Sequence, residues 1–256
     1  MFTKAIVREP AENFADGLTR VDLGPPIFKR VLAQHEAYCE ALASCGLELI
    51  RLQPDERYPD STFVEDTAVL TSRGAIITRP GASSRLGEID AIAPALRQHF
   101  SSLSSITAPG TLDGGDICEA GDHFFIGVSH RTNEAGAQQL AAWLDSLGYT
   151  SSLIDIRGLS NILHLKSGLA YLGGRQLVII EALRGRKEFS DFDLICLNPS
   201  EDYAANCLVV NGKVLVASGF AETSETFARM GYQTIPLEMS EFQKMDGGLS
   251  CLSLRF

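Results

Sequence analysis

Cys207-Leu208-Val209-Val210-Asn211-Gly212-Lys213-Val214-Leu215-Val216 is an apolar run, a two-residue turn and a second apolar run. Asn-Gly tolerates the positive φ of a type I′ turn, so between β-branched runs it reads as a hairpin. The pattern recurs three times upstream. Thr67-Ala68-Val69-Leu70 and Ala75-Ile76-Ile77-Thr78 flank a turn from Thr71 to Gly74. Ile117-Cys118 and His123-Phe124-Phe125-Ile126 flank Gly121-Asp122, and residues 169–172 and 176–180 flank Gly173-Gly174.

A helical pattern follows most of these pairs. Ile89, Ile92, Leu96 and Phe100 keep a spacing of three to four, as do Ala137, Leu140, Leu144 and Leu147 ahead of Gly148. Phe227 and Met230 lead to Gly231, a C-terminal cap. After the third pair only a short helix is expected, around 185–193. A further strand then follows, as at 152–156, 194–197 and 233–236. The unit is strand, strand, helix, strand, recurring about every fifty residues.

The two chain ends complete a fifth unit. Its first strand is 249–256, with Leu252, Leu254 and Phe256 alternating against Ser253 and Arg255. Its second is 2–7, followed by a helix through Val31, Tyr38, Leu42 and Cys45, a cap at Gly46 and a strand over 47–52. The expectation is an α/β fold: a five-fold pseudo-symmetric propeller of ββαβ units closed by the N- and C-terminal strands. With 256 residues and 45% hydrophobic content, residues 1–256 suffice for one domain with one large core.

Each first strand begins with a polar group out of keeping with the apolar run behind it. These are Glu65-Asp66, Asp113 with Asp116, His164, Asn206 and Ser250-Cys251. In a closed ring those starts converge on the axis, which would bring one thiol, one histidine and several carboxylates into one cleft. Each has a plainer reading. Asp113-Gly114-Gly115-Asp116 is also a good turn, His164 has the apolar neighbours of a core histidine, and Arg85 and Arg131 have the makings of surface arginines. Adjacent carboxylates such as Glu65-Asp66 are costly to bury unless paired.

The net charge of −10 disfavours nucleic acid and anionic membranes as partners and suits a small cationic ligand. Residues 1–20 carry no apolar signal segment and no run approaches the ~20 residues of a membrane span, so a cytoplasmic protein is expected. The six cysteines (39, 45, 118, 196, 207, 251) include no CxxC pair, and the five histidines no HExxH. Reduced thiols and no structural zinc are therefore expected.

Six stretches carry a resemblance that spans essentially the whole chain. They are Phe63-Val64-Glu65-Asp66, Leu112-Asp113-Gly114-Gly115-Asp116, Arg131-Thr132-Asn133, Leu163-His164-Leu165-Lys166-Ser167, Ala204-Ala205-Asn206-Cys207 and Asp246-Gly247-Gly248-Leu249-Ser250-Cys251. With these the sequence resembles the pentein superfamily of guanidine-modifying enzymes, and within it the hydrolases of dimethylated arginine. The resemblance implies a five-fold propeller, with Cys251 as nucleophile, His164 as general acid/base and Asp113 as the carboxylate that orients it. It places Asp66 on the substrate guanidinium with Glu65 and Asp60 beside it, and Arg85 and Arg131 on the α-carboxylate. Leu18 falls on a loop that closes over substrate, and Met245 among the substrate-binding residues.

The implied reaction converts Nω-methylated arginine to citrulline and an amine through a thiouronium adduct on Cys251, with no metal or cofactor. Arginine deiminase, agmatine deiminase and a citrulline hydrolase share the same thiol, histidine and acids. A non-catalytic pentein that binds a partner is the alternative of another class. Monomer and homodimer are both compatible with the sequence.

Overall fold

The hairpin at Asn211-Gly212 forms as its sequence requires. Both residues take positive φ, 49° and 86°, which lets the turn follow the right-handed twist of its strands. Val209 pairs with Val214 across it. The computed structural model describes residues 1–256, in which Met1–Val64 with Asn206–Phe256 form one compact unit and Glu65–Ala205 another.

In chain order the elements are β1 (Lys4–Arg8), α1 (Phe28–Ser44), β2 (Glu48–Leu52), β3 (Ala68–Thr71), β4 (Gly74–Ile77), α2 (Ile89–Arg97), β5 (Leu103–Ser105), β6 (Ile117–Ala120), β7 (His123–Val128), α3 (Glu134–Ser146) and β8 (Thr150–Asp155). There follow β9 (Leu169–Gly173), β10 (Gln176–Ile179), β11 (Asp193–Cys196), β12 (Leu208–Val210), β13 (Lys213–Ala217), α4 (Ala221–Arg229), β14 (Gln233–Leu237), α5 (Ser240–Gln243) and β15 (Leu254–Arg255). They make five three-stranded sheets. In each, an antiparallel pair is followed by a parallel crossover. Five such repeats are the unit count of the expected α/β propeller. No helix is long and apolar enough to cross a membrane.

Residues 65–205 hold three of the sheets: β3-β4-β5, β6-β7-β8 and β9-β10-β11. Ala137, Leu140 and Leu144, the helical stripe read in the sequence, are fully buried on α3 against Val69, Ile76, Ile126 and Phe124. Burying one such leucine stabilises the fold by about 1.5–3 kcal/mol. Asn133 caps α3 by accepting the N–H of Gly136 at 2.8 Å. No α-helix forms over 185–193. Two one-turn 3₁₀ helices, Glu181–Leu183 and Lys187–Phe189, stand on either side of Gly185 instead.

The remaining two sheets, β15-β1-β2 and β12-β13-β14, lie in the unit built from both chain ends. Phe14, Phe63 and Phe242 pack there edge-on, with ring centroids 5.6–6.3 Å apart. The last strand is shorter than the sequence pattern implies. Ser250–Leu252 is a 3₁₀ turn and only Leu254–Arg255 is strand. The alternation breaks at Ser253, which is buried because its hydroxyl bonds the Tyr38 hydroxyl at 2.6 Å.

Candidate active site

The polar starts of the repeats lie not in the strands but in, or directly beside, 3₁₀ turns that lead into them. Val64–Thr67 precedes β3, Gly114–Asp116 precedes β6 and Leu165–Ser167 precedes β9. A one-turn helix aims one side chain sideways before the chain straightens. Asp66, Asp113 and His164 are delivered this way, and their polar atoms lie within 4.8 Å of one another. His164 Nε2 is 3.0 Å from Asp113 Oδ2. Asp113 Oδ1 accepts the N–H of Gly81 at 2.8 Å, so the acid that meets the imidazole is fixed from behind. Asp66 accepts from the Gly115 N–H at 2.9 Å and from Arg85 Nη1 at 2.7 Å.

Two glycines make this approach possible. A Cβ on Gly115 would lie 2.7 Å from His164 Nδ1 and 2.9 Å from Asp66 Oδ1, and one on Gly81 would lie 2.1 Å from the Arg131 carbonyl oxygen. The sequence shows these glycines only as turn formers; their closeness to other units is tertiary.

Burial disfavours the imidazolium of His164, but the charges of Asp66 and Asp116 and the bond to Asp113 outweigh it and raise its pKa to about 9. At neutral pH the ring is therefore a charged proton donor. Burial also opposes the Asp66 carboxylate, and His164 and Arg85 outweigh it, holding its pKa down to about 2. Asp116 is the opposite case: burial dominates and raises it to about 6. Asp66, Asp113 and His164 are metal-ligand types at ligand spacing. One Asp66 oxygen is taken by the Arg85 guanidinium and the other by the Gly115 N–H, which makes Asp66 a poor metal ligand.

Arg85 is not the surface arginine of the plainer reading. It is buried, and its Nε and Nη2 donate to Glu88 at 2.8 and 2.7 Å while Nη1 donates to Asp66. Glu88 was missed in the sequence, although its spacing of three from Arg85 is a signal of pairing. Arg131 is the better match for a waiting donor: its Nη1 is buried, 4.0 Å from Asp113 Oδ2 and without a hydrogen-bond partner. Glu65 is buried and paired with Lys166 at 2.5 Å. That lysine, two residues after His164, was also missed as a partner.

In the unit formed by the chain ends, Cys251 lies in the Ser250–Leu252 turn and is partly exposed. Asn206 fixes that turn reciprocally. Its Oδ1 accepts the Ser250 N–H at 2.9 Å and its Nδ2 donates to Ser250 Oγ at 3.0 Å. None of the six cysteines is in a disulfide, and only Cys196 and Cys251 are not buried. Partial burial and the Glu181 carboxylate push the Cys196 thiol up to about 11, which makes it a poor nucleophile at neutral pH. Asp60 is buried and accepts the Leu18 N–H at 3.0 Å, which fixes the base of the exposed loop that follows Gly17. The Met245 side chain is buried, with its methyl beside Gly17. Asp246 holds the same loop by accepting the Arg20 N–H at 2.6 Å.

No protein-family model matches the chain. The N-terminal domain of ArgZ, an arginine dihydrolase of the cyanobacterial ornithine–ammonia cycle, superposes with a TM-score of 0.87 over 100% of this chain and 97% of its own. At 16% identity that likeness concerns the fold alone, an α/β fold of five three-stranded repeats. The N(G),N(G)-dimethylarginine dimethylaminohydrolase of Pseudomonas aeruginosa is 46% identical over 100% of both chains. A cysteine-to-serine variant of the P. aeruginosa enzyme, solved with citrulline, superposes with a TM-score of 0.97 over 100% of both chains. The chain belongs to the dimethylarginine dimethylaminohydrolase family, hydrolases that act on C–N bonds.

Proposed function

We propose that the chain hydrolyses asymmetric dimethylarginine and monomethylarginine to citrulline and dimethylamine or methylamine. The observation that carries this is a buried His164 bonded to Asp113, with Asp66 within 4.8 Å, in a chain that matches a dimethylarginine hydrolase end to end. The citrulline complex of the P. aeruginosa variant accords with citrulline as product.

A guanidinium stays protonated near pH 7, so its carbon is a poor electrophile until its charge is localised. Asp66 and Glu65 are assigned to that task, each sharing its charge with a cation of the protein, Arg85 and Lys166. Cys251 attacks as its thiolate: a C–S bond forms as the C–N π bond of the guanidinium opens. His164 gives its proton to the methylated nitrogen, the C–N bond breaks and the amine leaves, with a thiouronium adduct on Cys251. His164, now neutral, takes a proton from water as the oxygen adds to the carbon. The adduct's hydroxyl proton passes to solvent as the C=O forms and the C–S bond breaks, releasing the ureido group of citrulline and the thiolate. General acid/base assistance of this kind contributes about 10²–10⁴-fold.

Arg131, with its unpartnered buried Nη1, is assigned to the substrate carboxylate. Arg85, expected as a second fork, is assigned instead to holding Asp66, because Glu88 and Asp66 take its donors. Leu18, Asp60 and Met245 are assigned to the loop that covers substrate. The chemistry needs a reduced thiol, which fits action in the cytoplasm.

Labelling with a chloroacetamidine tests the nucleophile. The expected result is one adduct, on the peptide holding Cys251. The Cys251→Ser variant should keep its circular dichroism and thermal midpoint, take no label and form no citrulline. Turnover by Cys251→Ser at the native rate would overturn the assignment.

A further inference from the structure

We propose that Asp116 is a positioning residue for this reaction, one buried carboxylate that sets both the turn carrying His164 and the loop carrying Arg131. The inference rests on the hydrolase reading above, and its geometry is independent of substrate. Asp116 is fully buried. Its Oδ1 accepts the N–H of Leu165, the residue after His164, at 3.0 Å. Its Oδ2 accepts the hydroxyls of Ser129 and Thr132, each at 2.7 Å. Ser129 Oγ in turn accepts the N–H groups of Arg131 and Thr132 at 3.0 Å. Thr132 Oγ accepts the N–H of Asp113 at 3.1 Å. The turn of Asp113, the loop of Arg131 and the turn of His164 are thus tied to one group.

Every one of these partners donates, so the group they need is an acceptor on both oxygens. A serine or threonine hydroxyl that already accepts a backbone N–H has its proton directed at Asp116. An amide nitrogen in place of Oδ2 would meet that proton head-on. No arginine or lysine pairs with Asp116 among its hydrogen-bond partners, and a buried carboxylate so placed is costly. Its charge also reaches the imidazole, where burial is outweighed by Asp66, Asp116 and Asp113 in that order.

The test is the isosteric Asp116→Asn variant, read by NMR titration of the His164 ring with His164→Gln to assign its signals. The charged groups around that ring are Asp66 with Arg85 upon it, Asp113 with Arg131 near it, Asp116, and Lys166 with Glu65 on the same turn. All but Asp116 are unchanged in the variant. The His164 midpoint should fall from about 9, by about one unit. The kcat on dimethylarginine should fall about tenfold, and KM should rise. A role confined to stability would lower the thermal midpoint and leave the His164 titration in the folded protein unmoved.

A second variant, Ser129→Ala with Thr132→Val, keeps the carboxylate and its bond to Leu165 but releases the Arg131 loop. Its KM should rise by a larger factor than its kcat falls. A folded Asp116→Asn whose His164 titration, kcat and KM match the parent would overturn the proposal. If Asp116→Asn does not fold, an unchanged KM in the double variant would do so. A chain that hydrolyses no methylarginine yet shows the shifted titration would sink the hydrolase reading and leave the positioning of His164 standing.

Discussion

His164 and Asp66 make opposite pH demands on the folded state, and their signs differ. The folded pKa of His164 is raised from 6.5 to about 9. Its contribution to stability is therefore complete below about 6.5 and is lost as pH rises through about 9. The folded pKa of Asp66 is lowered from 3.8 to about 2. Its contribution is complete above about 3.8 and lost as pH falls through about 2. Asp116, raised from 3.8 to about 6, costs stability as pH rises between those values, so the test is the alkaline limb: His164→Gln should flatten the decline in thermal midpoint there. An alkaline limb unchanged by His164→Gln would contradict the coupling. That His164 and Asp113 would meet was legible in the sequence, because a polar residue at the head of an apolar run is out of place unless something uses it. The setting of Arg85 was not legible. A guanidinium looks alike on a surface and in a cleft, and only packing shows that Glu88 and Asp66 take its donors.

At the level of elements, the turns matter more than the strands they introduce. The hairpins were plain from Asn211-Gly212 and Gly173-Gly174, and the helices α1 to α4 from their apolar spacing. The 3₁₀ turns were not, because three residues show no periodicity and their polar residues read equally well as strand ends. The final strand was overextended for the same reason: Ser253 fits an outward position in the pattern, while its bond to Tyr38 draws it in. Close packing between turns yields a sharp expectation at Gly81. Its missing Cβ leaves room for the Arg131 carbonyl, and Gly81 N–H also holds Asp113. Gly81→Ala should cost about 1–3 kcal/mol in chemical denaturation, because backbone must shift to admit the methyl. It should also lower kcat/KM through Asp113 and Arg131. A variant with native stability and activity would mean that this approach is not needed.

For the molecule as a whole, the fifth repeat is assembled from the two ends of the chain. The N–H groups of Thr3 and Lys4 donate to the Phe256 carbonyl at 2.9 and 2.8 Å, and the Phe256 N–H donates to Lys4 at 3.0 Å. Such bonds contribute about 0.5–1.5 kcal/mol each, and Leu254 is buried besides. Removal of residues 254–256 should therefore lower stability by several times a single bond, read as a drop in denaturation midpoint. A truncated chain with an unchanged midpoint would show that β15 does not anchor β1. The repeat itself is visible in the sequence, since strand, strand, helix, strand recurs with turn signals between. Which guanidine is taken was not visible, because arginine and its methylated forms call for the same thiol, histidine and acids and differ only in what surrounds one nitrogen.

The central claim is that the leaving group is a methylated amine. The direct measurement presents purified protein separately with asymmetric dimethylarginine, monomethylarginine, arginine, agmatine and citrulline, with products resolved by mass spectrometry. Dimethylamine with citrulline from the first, methylamine with citrulline from the second, and little reaction with the other three is the predicted result. Ammonia released from arginine, agmatine or citrulline at a comparable or greater rate would contradict it.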